Sequence, residues 1–287
     1  MTKPEILLRP QQSKEKIFLE RTILLLCFFL LSTLLIAQNE DYNVSGDFYY
    51  KQEDYNKAIF HYSEGVDKKN AYASKKICSI FIEKIYHYKL NVELSYMGSI
   101  ISINQSNQDK SKDYDMKNFF DLFEKMATEK DNDFAIYLLG YCYTNGDGVK
   151  KDIEKAKYYY DLLIRKKNPL AMREKALLIS KIDLKKALDL LIESVKIQPS
   201  AITFLNISVI YYNNKHYKKA KEYAHKSLDL CKSGSAYYFL AACSGDSNAM
   251  NMREYDMGEK YFQLATEIDD ANLLISEIQY VKSIFKF

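Results

Sequence analysis

Residues 138–164, LLGYCYTNGDGVKKDIEKAKYYYDLLI, carry the densest polar signature of the chain. The central segment, YTNGDGVKKDIE, combines two glycines, an asparagine, acidic residues and a closing glutamate. Calcium loops use such oxygen-bearing side chains around a glycine, and phosphate loops use closely spaced glycines. A turn between two helices uses the same glycines for their positive φ. The expected fold and function depend on which of these three the segment is.

A calcium loop of the EF-hand type fits this segment poorly. With Gly148 as the obligatory loop glycine, Asn145, Asp147 and Glu154 fall on the third, fifth and twelfth loop positions, which carry ligands. The first ligand position is then Tyr143, which has no carboxylate. Two lysines also follow the glycine within the loop, and their charge opposes a divalent cation. Calcium binding is therefore disfavoured.

A turn between two helices is the favoured interpretation. No Gly-Lys-Ser or Gly-Lys-Thr triplet follows the glycines, and the preceding residues have a helical pattern, so a phosphate loop is disfavoured as well. Gly146 and Gly148 can adopt positive φ between the helices, and Asp152 can cap the second helix. The segment thus predicts an inter-helix loop and no ligand.

A small residue recurs along the chain in matching helical surroundings. The stretches are YNKAIFHY, IEKAKYYY, LKKALDLL, YKKAKEYA and DMGEKYFQ, and their small residues are Ala58, Ala156, Ala187, Ala220 and Gly258. The last four are spaced by 31, 33 and 38 residues, and the 98 residues between the first two hold about three such steps. Apolar residues continue at helical spacing after each small residue. Small residues allow two antiparallel helices to approach closely, so the period predicts stacked helix hairpins.

These features resemble tetratricopeptide repeats, and the residues around the glycine loop resemble the related Sel1-like repeat. The first repeat is matched at Tyr42, Gly46, Tyr49, Ala58, Tyr62 and Gly65. The loop repeat is matched at Ala135, Leu139, Gly140, Tyr143, Gly146, Gly148, Val149, Asp152, Lys155, Ala156 and Tyr159. The resemblance implies an all-α fold: a right-handed α-solenoid of hairpins over residues 40–270 with a C-terminal capping helix at 271–287. Residues 71–130 match least well and contain helical stretches near 71–90, 92–104 and 115–129.

The resemblance also implies a concave groove lined by the first helix of each hairpin. Its groove-facing positions fall on five tyrosines, which are the expected partner-binding residues: Tyr50, Tyr137, Tyr141, Tyr212 and Tyr238. Tyrosine offers a large contact area at low entropic cost, which suits an extended peptide or a helix. The Lys, Asn and Arg set with which family members grip a terminal carboxylate is absent. The chain has 25 tyrosines, so packing between repeats is an alternative role for these five.

The N-terminal residues 1–37 predict a signal peptide or an N-terminal membrane anchor. Basic residues precede the apolar run Ile23–Ile36, whose 14 residues suit the core of a signal and are few for a membrane span. Ala37 is a plausible cleavage point, and an anchor formed by residues 22–37 is the alternative. In either case the body is expected to be exported by a Sec-type route to the periplasm, cell envelope or medium. A membrane is expected as a partner only through such an anchor.

The rest of the sequence gives no positive support for catalysis. The four histidines have no metal-binding spacing, no Gly-x-Ser-x-Gly elbow occurs, and the cysteines form no Cys-x-x-Cys pair. The net charge of +3 is too small to predict nucleic-acid binding. We therefore expect no enzyme activity, no cofactor and no metal. The expected function is a scaffold or adaptor for a protein or peptide, with an envelope assembly component, a glycan-binding module or an unrecognised hydrolase as alternatives.

Overall fold

The computed structural model describes Leu25 and residues 42–86, 114–128, 132–245, 252–268 and 270–285. All regular structure in these ranges is helical, which confirms the predicted all-α class. No helix within the described ranges has the length and hydropathy needed to cross a bilayer. The predicted signal or anchor, apart from Leu25, and the helical stretch predicted at 92–104 lie outside the described residues.

The chain divides into two compact units, and residues 42–70 of the first, Met1–Asn70, form a hairpin. Helix α1 spans residues 42–51 and helix α2 spans Tyr55–Asp67. Gly46 faces the buried ring of Tyr62, and a Cβ on Gly46 would lie 2.4 Å from Tyr62 Cε1. The Tyr62 hydroxyl donates to Asp47 at 2.6 Å, which fixes the ring. The hairpin thus closes because a glycine of α1 leaves room for a tyrosine of α2.

The second unit, Ala71–Phe287, is an array of helices. Its helices are α3 (Ala71–Ile80, continued by π-helical turns Phe81–Tyr86), α4 (Met116–Ala127), α5 (Asp133–Asn145), α6 (Ile153–Ile164), α7 (Pro169–Ile179), α8 (Leu184–Ile197), α9 (Ala201–Asn213), α10 (Tyr217–Leu230), α11 (Gly234–Gly245), α12 (Met252–Glu267) and α13 (Ala271–Phe285). The hairpins are α5–α6, α7–α8, α9–α10 and α11–α12. Neighbouring hairpins stack through α6 on α7 and α10 on α11, and α4 packs on α5.

Short polar residues set where these helices begin. Each capping side chain accepts a hydrogen bond from a backbone N–H of the first turn, a group that has no partner inside the helix. The caps of α4 to α9 are Asp115, Asn132, Asp152, Asn168, Asp183 and Ser200. Pro169 follows its cap at the first helical position of α7, where no N–H is required. The hairpin boundaries are therefore encoded locally in the sequence.

The small residues of the period lie where the helices approach. Ala58, Ala156, Ala187 and Ala220 have no exposed surface. A Cβ on Gly258 would lie 3.2 Å from Ser244 Cβ, closer than most side chains pack. These placements agree with the close approach that the period predicts.

Helix α13 has a different position from the other helices of the second unit. Asp270, just before α13, accepts hydrogen bonds from the backbone N–H (3.1 Å) and the hydroxyl of Ser235 at the start of α11. The helix then packs on α9 and α7, the first helices of two other hairpins. Its buried residues are Leu273, Leu274, Glu277, Tyr280 and Val281. The terminal helix thus crosses the array along the first-helix side.

Candidate binding groove

The inner groove is the face of α5, α7 and α9 on which α13 lies. Helix–helix packing holds α13 on α7 and α9, and ring contacts hold its end on α5. Helices α5, α7 and α9 are the first helices of consecutive hairpins. The groove is therefore occupied by a helix of the same chain.

A buried ion pair lies at the centre of this contact. Arg173 Nη1 of α7 lies 2.7 Å from Glu277 Oε1 of α13, and the two side chains are only 2% and 1% exposed. Arg173 Nη2 also lies 2.9 Å from Glu174 Oε1, and the Ser200 hydroxyl lies 3.4 Å from Glu277 Oε2. Burial raises the pKa of the Glu277 carboxyl, and the adjacent guanidinium acts against that rise. Since arginine stays charged in proteins, the pair holds α13 at one register on α7.

An aromatic contact holds the C-terminal end of α13. The Phe285 ring lies 4.6 Å from the Phe134 ring and 5.5 Å from the Tyr137 ring, measured between centroids. Aromatic rings at these distances attract one another in addition to the area that they bury. Tyr280, one turn before this contact, is also buried, and burial raises its pKa to about 12.

Two polar contacts also lie near the C-terminal end of α13. Lys282 Nζ lies 2.5 Å from Glu83 Oε1, and Gln198 donates from Nε2 to Ser283 Oγ at 2.7 Å. Both contacts are at least partly open to solvent, so each contributes little stability by itself. The ion pair at the centre and the aromatic contact at the end are therefore the features that position α13.

Two of the predicted groove tyrosines are closed off in this structure. Tyr137 is 1% exposed and lies between Phe134, Tyr160 and Phe285. Tyr141 is 6% exposed, and its ring lies 6.0 Å from that of Phe81. Tyr137 thus lies on the face that α13 covers, and its role in partner binding stays a prediction.

The other three predicted tyrosines are half-buried. Tyr212 and Tyr238 both contact Phe239, at ring-centroid distances of 6.0 and 5.7 Å. Tyr50 belongs to the first unit, where its ring lies 5.6 Å from that of Tyr55. Within the second unit, Tyr212 and Tyr238 are the predicted residues with accessible surface.

The residues that hold α13 are absent from the expected partner-binding set. Arg173 lies in the otherwise largely apolar stretch PLAMREKALLI. Glu277 lies in the middle of an apolar stripe formed by Leu273, Leu274, Tyr280 and Val281. A charged residue within an apolar stretch is the signal that could have identified each partner, although Glu174 and Lys175 directly follow Arg173. The residues around each charge do not show that Arg173 and Glu277 contact each other, because the two lie in distant parts of the chain.

The glycine loop between α5 and α6 is a packing element. Gly146 and Gly148 have φ of 86° and 69°, and Asp152 caps α6, which confirms the predicted turn. The backbone N–H groups of Gly146 and Asp147 both donate to Cys142 O, at 2.8 and 3.1 Å. A Cβ on Gly148 would lie 2.0 Å from Met116 O, because the loop presses against the start of α4. The two glycines therefore allow the backbone conformation of the loop and its close contact with α4.

A stacked ring pair recurs at the loop end of three hairpins. The pairs are Tyr49–His61, Tyr143–Tyr159 and Tyr211–Tyr223, with centroids 5.3, 5.7 and 5.6 Å apart. A lysine lies over the first ring of each pair: Lys57, Lys155 and Lys219, at 5.3, 5.0 and 5.2 Å. Such cations add electrostatic attraction to the stack. These tyrosines, none of which belongs to the predicted partner-binding set, thus pack within hairpins.

The thiols and acidic groups of the described residues do not converge on a reactive site. In these parts of the chain, no group of three or more His, Cys, Asp or Glu side chains could hold a metal ion. The side chains of Cys78, Cys142 and Cys243 are buried. Cys231 is more accessible, but burial raises the pKa of its thiol, which disfavours the nucleophilic thiolate.

Comparisons with known proteins match two of the hairpins described above. A family model, the Sel1 repeat, matches residues 44–70 and 133–168, which contain the α1–α2 and α5–α6 hairpins. A solved structure of a Sel1 repeat protein from Oxalobacter formigenes is similar at 15% identity and TM-score 0.45, covering 78% of this chain and 84% of that one. A protective antigen present in uropathogenic Escherichia coli strains, displaying an SLR fold, is 15% identical at TM-score 0.38, covering 85% and 71%. No curated protein matches the chain.

Proposed function

We propose that this chain, a tetratricopeptide-like helical repeat protein with Sel1 repeats at residues 44–70 and 133–168, is a non-catalytic scaffold that binds a partner protein in its inner groove. Sel1 repeat proteins are generally non-catalytic scaffolds that mediate protein–protein interaction. The observation that supports this role here is that the groove already holds a helix, α13, with buried apolar residues and a central ion pair. A face that accommodates one helix has the width and the chemistry to hold another.

The first helices α9 and α11 carry two of the predicted tyrosines with accessible surface. Tyr212 and Tyr238 are half-buried, and the ring of each contacts the buried ring of Phe239. Each tyrosine therefore keeps accessible surface next to an apolar side chain. Aromatic residues of this kind are enriched among the residues that dominate binding energy. We propose that a partner first contacts this tyrosine pair.

Photo-crosslinking in cells that produce the protein tests the scaffold function. A benzophenone amino acid in place of Tyr238 is expected to form a covalent adduct with a partner protein. The same substitution at Tyr158, which is 59% exposed on the second helix α6, is the matched control and should give no adduct. Adducts of equal yield at both positions, or at neither, would count against binding at the inner side.

We also propose that the scaffold acts outside the cytoplasm. The support is the basic N-terminal segment followed by the apolar run Ile23–Ile36. Expected result: the mature protein isolated from its native cells lacks residues 1–37, as intact-mass measurement would show. A full-length chain in the membrane fraction would instead support the anchor at residues 22–37, and a full-length chain in the soluble cytoplasm would contradict export.

A further inference from the structure

We propose that the inner groove is a site for one amphipathic helix that presents a carboxylate to Arg173, and that α13 occupies this site until such a helix displaces it. The inference rests on the proposed scaffold function and specifies the chemistry of the partner. It also makes α13 a competitor of that partner.

Arg173 determines which occupants the groove accepts. Its side chain is 2% exposed and stays charged. Glu174 of the same helix pairs with its Nε and Nη2 atoms, whereas Glu277 of α13 lies 2.7 Å from its Nη1 atom. A helix with an apolar residue in place of Glu277 would remove the carboxylate that contacts Nη1 and leave only Glu174 to compensate the buried charge, and a lysine there would repel the guanidinium. The groove therefore selects for a carboxylate at one position of the bound helix.

The spacing along α13 defines the rest of the recognised pattern. Tyr280 and Val281 follow Glu277 by three and four residues, and Phe285 follows it by eight. Residues at these intervals lie on one face of a helix. Phe285 enters the contact with Phe134 and Tyr137 on α5. A matching partner helix thus carries a carboxylate, apolar residues one turn later and an aromatic residue about two turns later.

The position of α13 allows it to leave without disturbing a hairpin. Helices α5 to α12 are each packed against a hairpin partner, whereas α13 contacts α7 and α9, which already have partners. Its central contact is a buried ion pair, and pairs of this kind are better attested as devices of register and switching than as sources of stability. Release of α13 exposes its apolar face and frees Arg173 for hydration or for another carboxylate.

Binding of a synthetic helix to the full-length protein tests the proposal. The probe is a fluorescent peptide of residues 270–287 carrying Ile275→Lys, since Ile275 is 51% exposed and does not face the groove. The Glu277→Lys protein should release α13 and bind the probe about ten-fold or more tighter than the wild type, because the competing occupant is removed. Gln279→Lys places a lysine on the exposed side of the same helix and should bind like the wild type. Equal affinity of all three proteins, or binding by none, would overturn the proposal.

A measurement on the wild-type protein covers the case in which Glu277→Lys does not fold. With saturating probe, hydrogen exchange should accelerate in Ala271–Phe285 of the protein and remain unchanged in α6. The added lysine gives probe fragments a different mass from those of α13. A probe that also carries Glu277→Lys should have no effect. If it accelerates exchange as much as the first probe, Arg173 does not select for a carboxylate and the inference fails.

Different experimental outcomes would contradict the scaffold function and the helix site in the groove. A partner crosslinked at Tyr238, combined with no probe binding, would leave the scaffold function standing and overturn the helix site in the groove. Probe binding without any crosslinked partner would support the groove site and contradict the scaffold function.

Discussion

Replacing Gly148 with alanine is expected to destabilise the second unit by about 2–5 kcal/mol. An L-residue at its φ of 69° costs about 1–2 kcal/mol, and overpacking adds about 1–3 kcal/mol. The added methyl group would lie 2.0 Å from Met116 O, a backbone atom that no change of rotamer can move. Either the loop or the start of α4 must therefore shift. Urea unfolding of the full-length chain, followed by circular dichroism, measures the loss.

Gly146 provides the matched control in the same loop. Its φ is also positive, at 86°, but the nearest atom to an added Cβ is 3.5 Å away. Gly146→Ala should thus cost only the conformational part, about 1–2 kcal/mol. If both variants lose the same free energy of unfolding, the contact of Gly148 with α4 adds nothing to the loss. Backbone conformation alone would then account for the effect of both substitutions.

Gly140→Ala is expected to destabilise the α5–α6 hairpin although alanine is the better helix former. Alanine should gain about 1 kcal/mol from helix propensity. Its Cβ, however, would lie 2.7 Å from Cε1 of Tyr160, which has no exposed surface. The Tyr160 hydroxyl lies 3.3 Å from Thr144 Oγ1, so rotation of the ring would break this contact. Overpacking should cost about 1–3 kcal/mol, so we expect a net loss of up to about 2 kcal/mol.

A double-mutant cycle with Tyr160→Ala separates the clash from other effects. Tyr160→Ala alone should cost about 3–5 kcal/mol through the cavity that it leaves. In this background Gly140→Ala should become neutral or stabilising, since the ring that it meets is gone. The coupling between the two substitutions is thus expected to be about 1–3 kcal/mol, and additive losses would contradict the clash.

The local backbone features could be predicted from the sequence because each depends on a few neighbouring residues. Gly146 and Gly148 are typical of positive φ, and Asp152 is typical of a helix cap; all three have these roles. Ala156 and its counterparts indicated where helices meet, because close approach excludes larger side chains. The π-helical turns Phe81–Tyr86 had no comparable signal in the helical pattern.

The occupant of the groove could not be predicted in the same way. The resemblance to related repeats predicts Tyr137 as a partner-binding residue, and in the structure the Phe285 ring of α13 covers it. The position of α13 is set by the contact between Arg173 and Glu277, more than one hundred residues apart in the chain. Each charge interrupts an apolar stripe, and neither stripe indicates its partner. The role of the five tyrosines in partner binding therefore stays a prediction, and the sequence did not indicate that α13 closes off Tyr137.

The recurring ring pairs bear on how such an array can change during evolution. The two rings are 12 residues apart in the α1–α2 and α9–α10 hairpins and 16 apart in α5–α6, and in all three the lysine precedes the second ring by four residues. The longer interval reflects additional loop residues, yet the stack is preserved. The ring pair therefore does not depend on the length of the loop that joins its two helices. A hairpin can thus gain loop residues and keep its internal stack, while the constraint on the added residues comes from the neighbouring helix that they contact, as Gly148 does with α4.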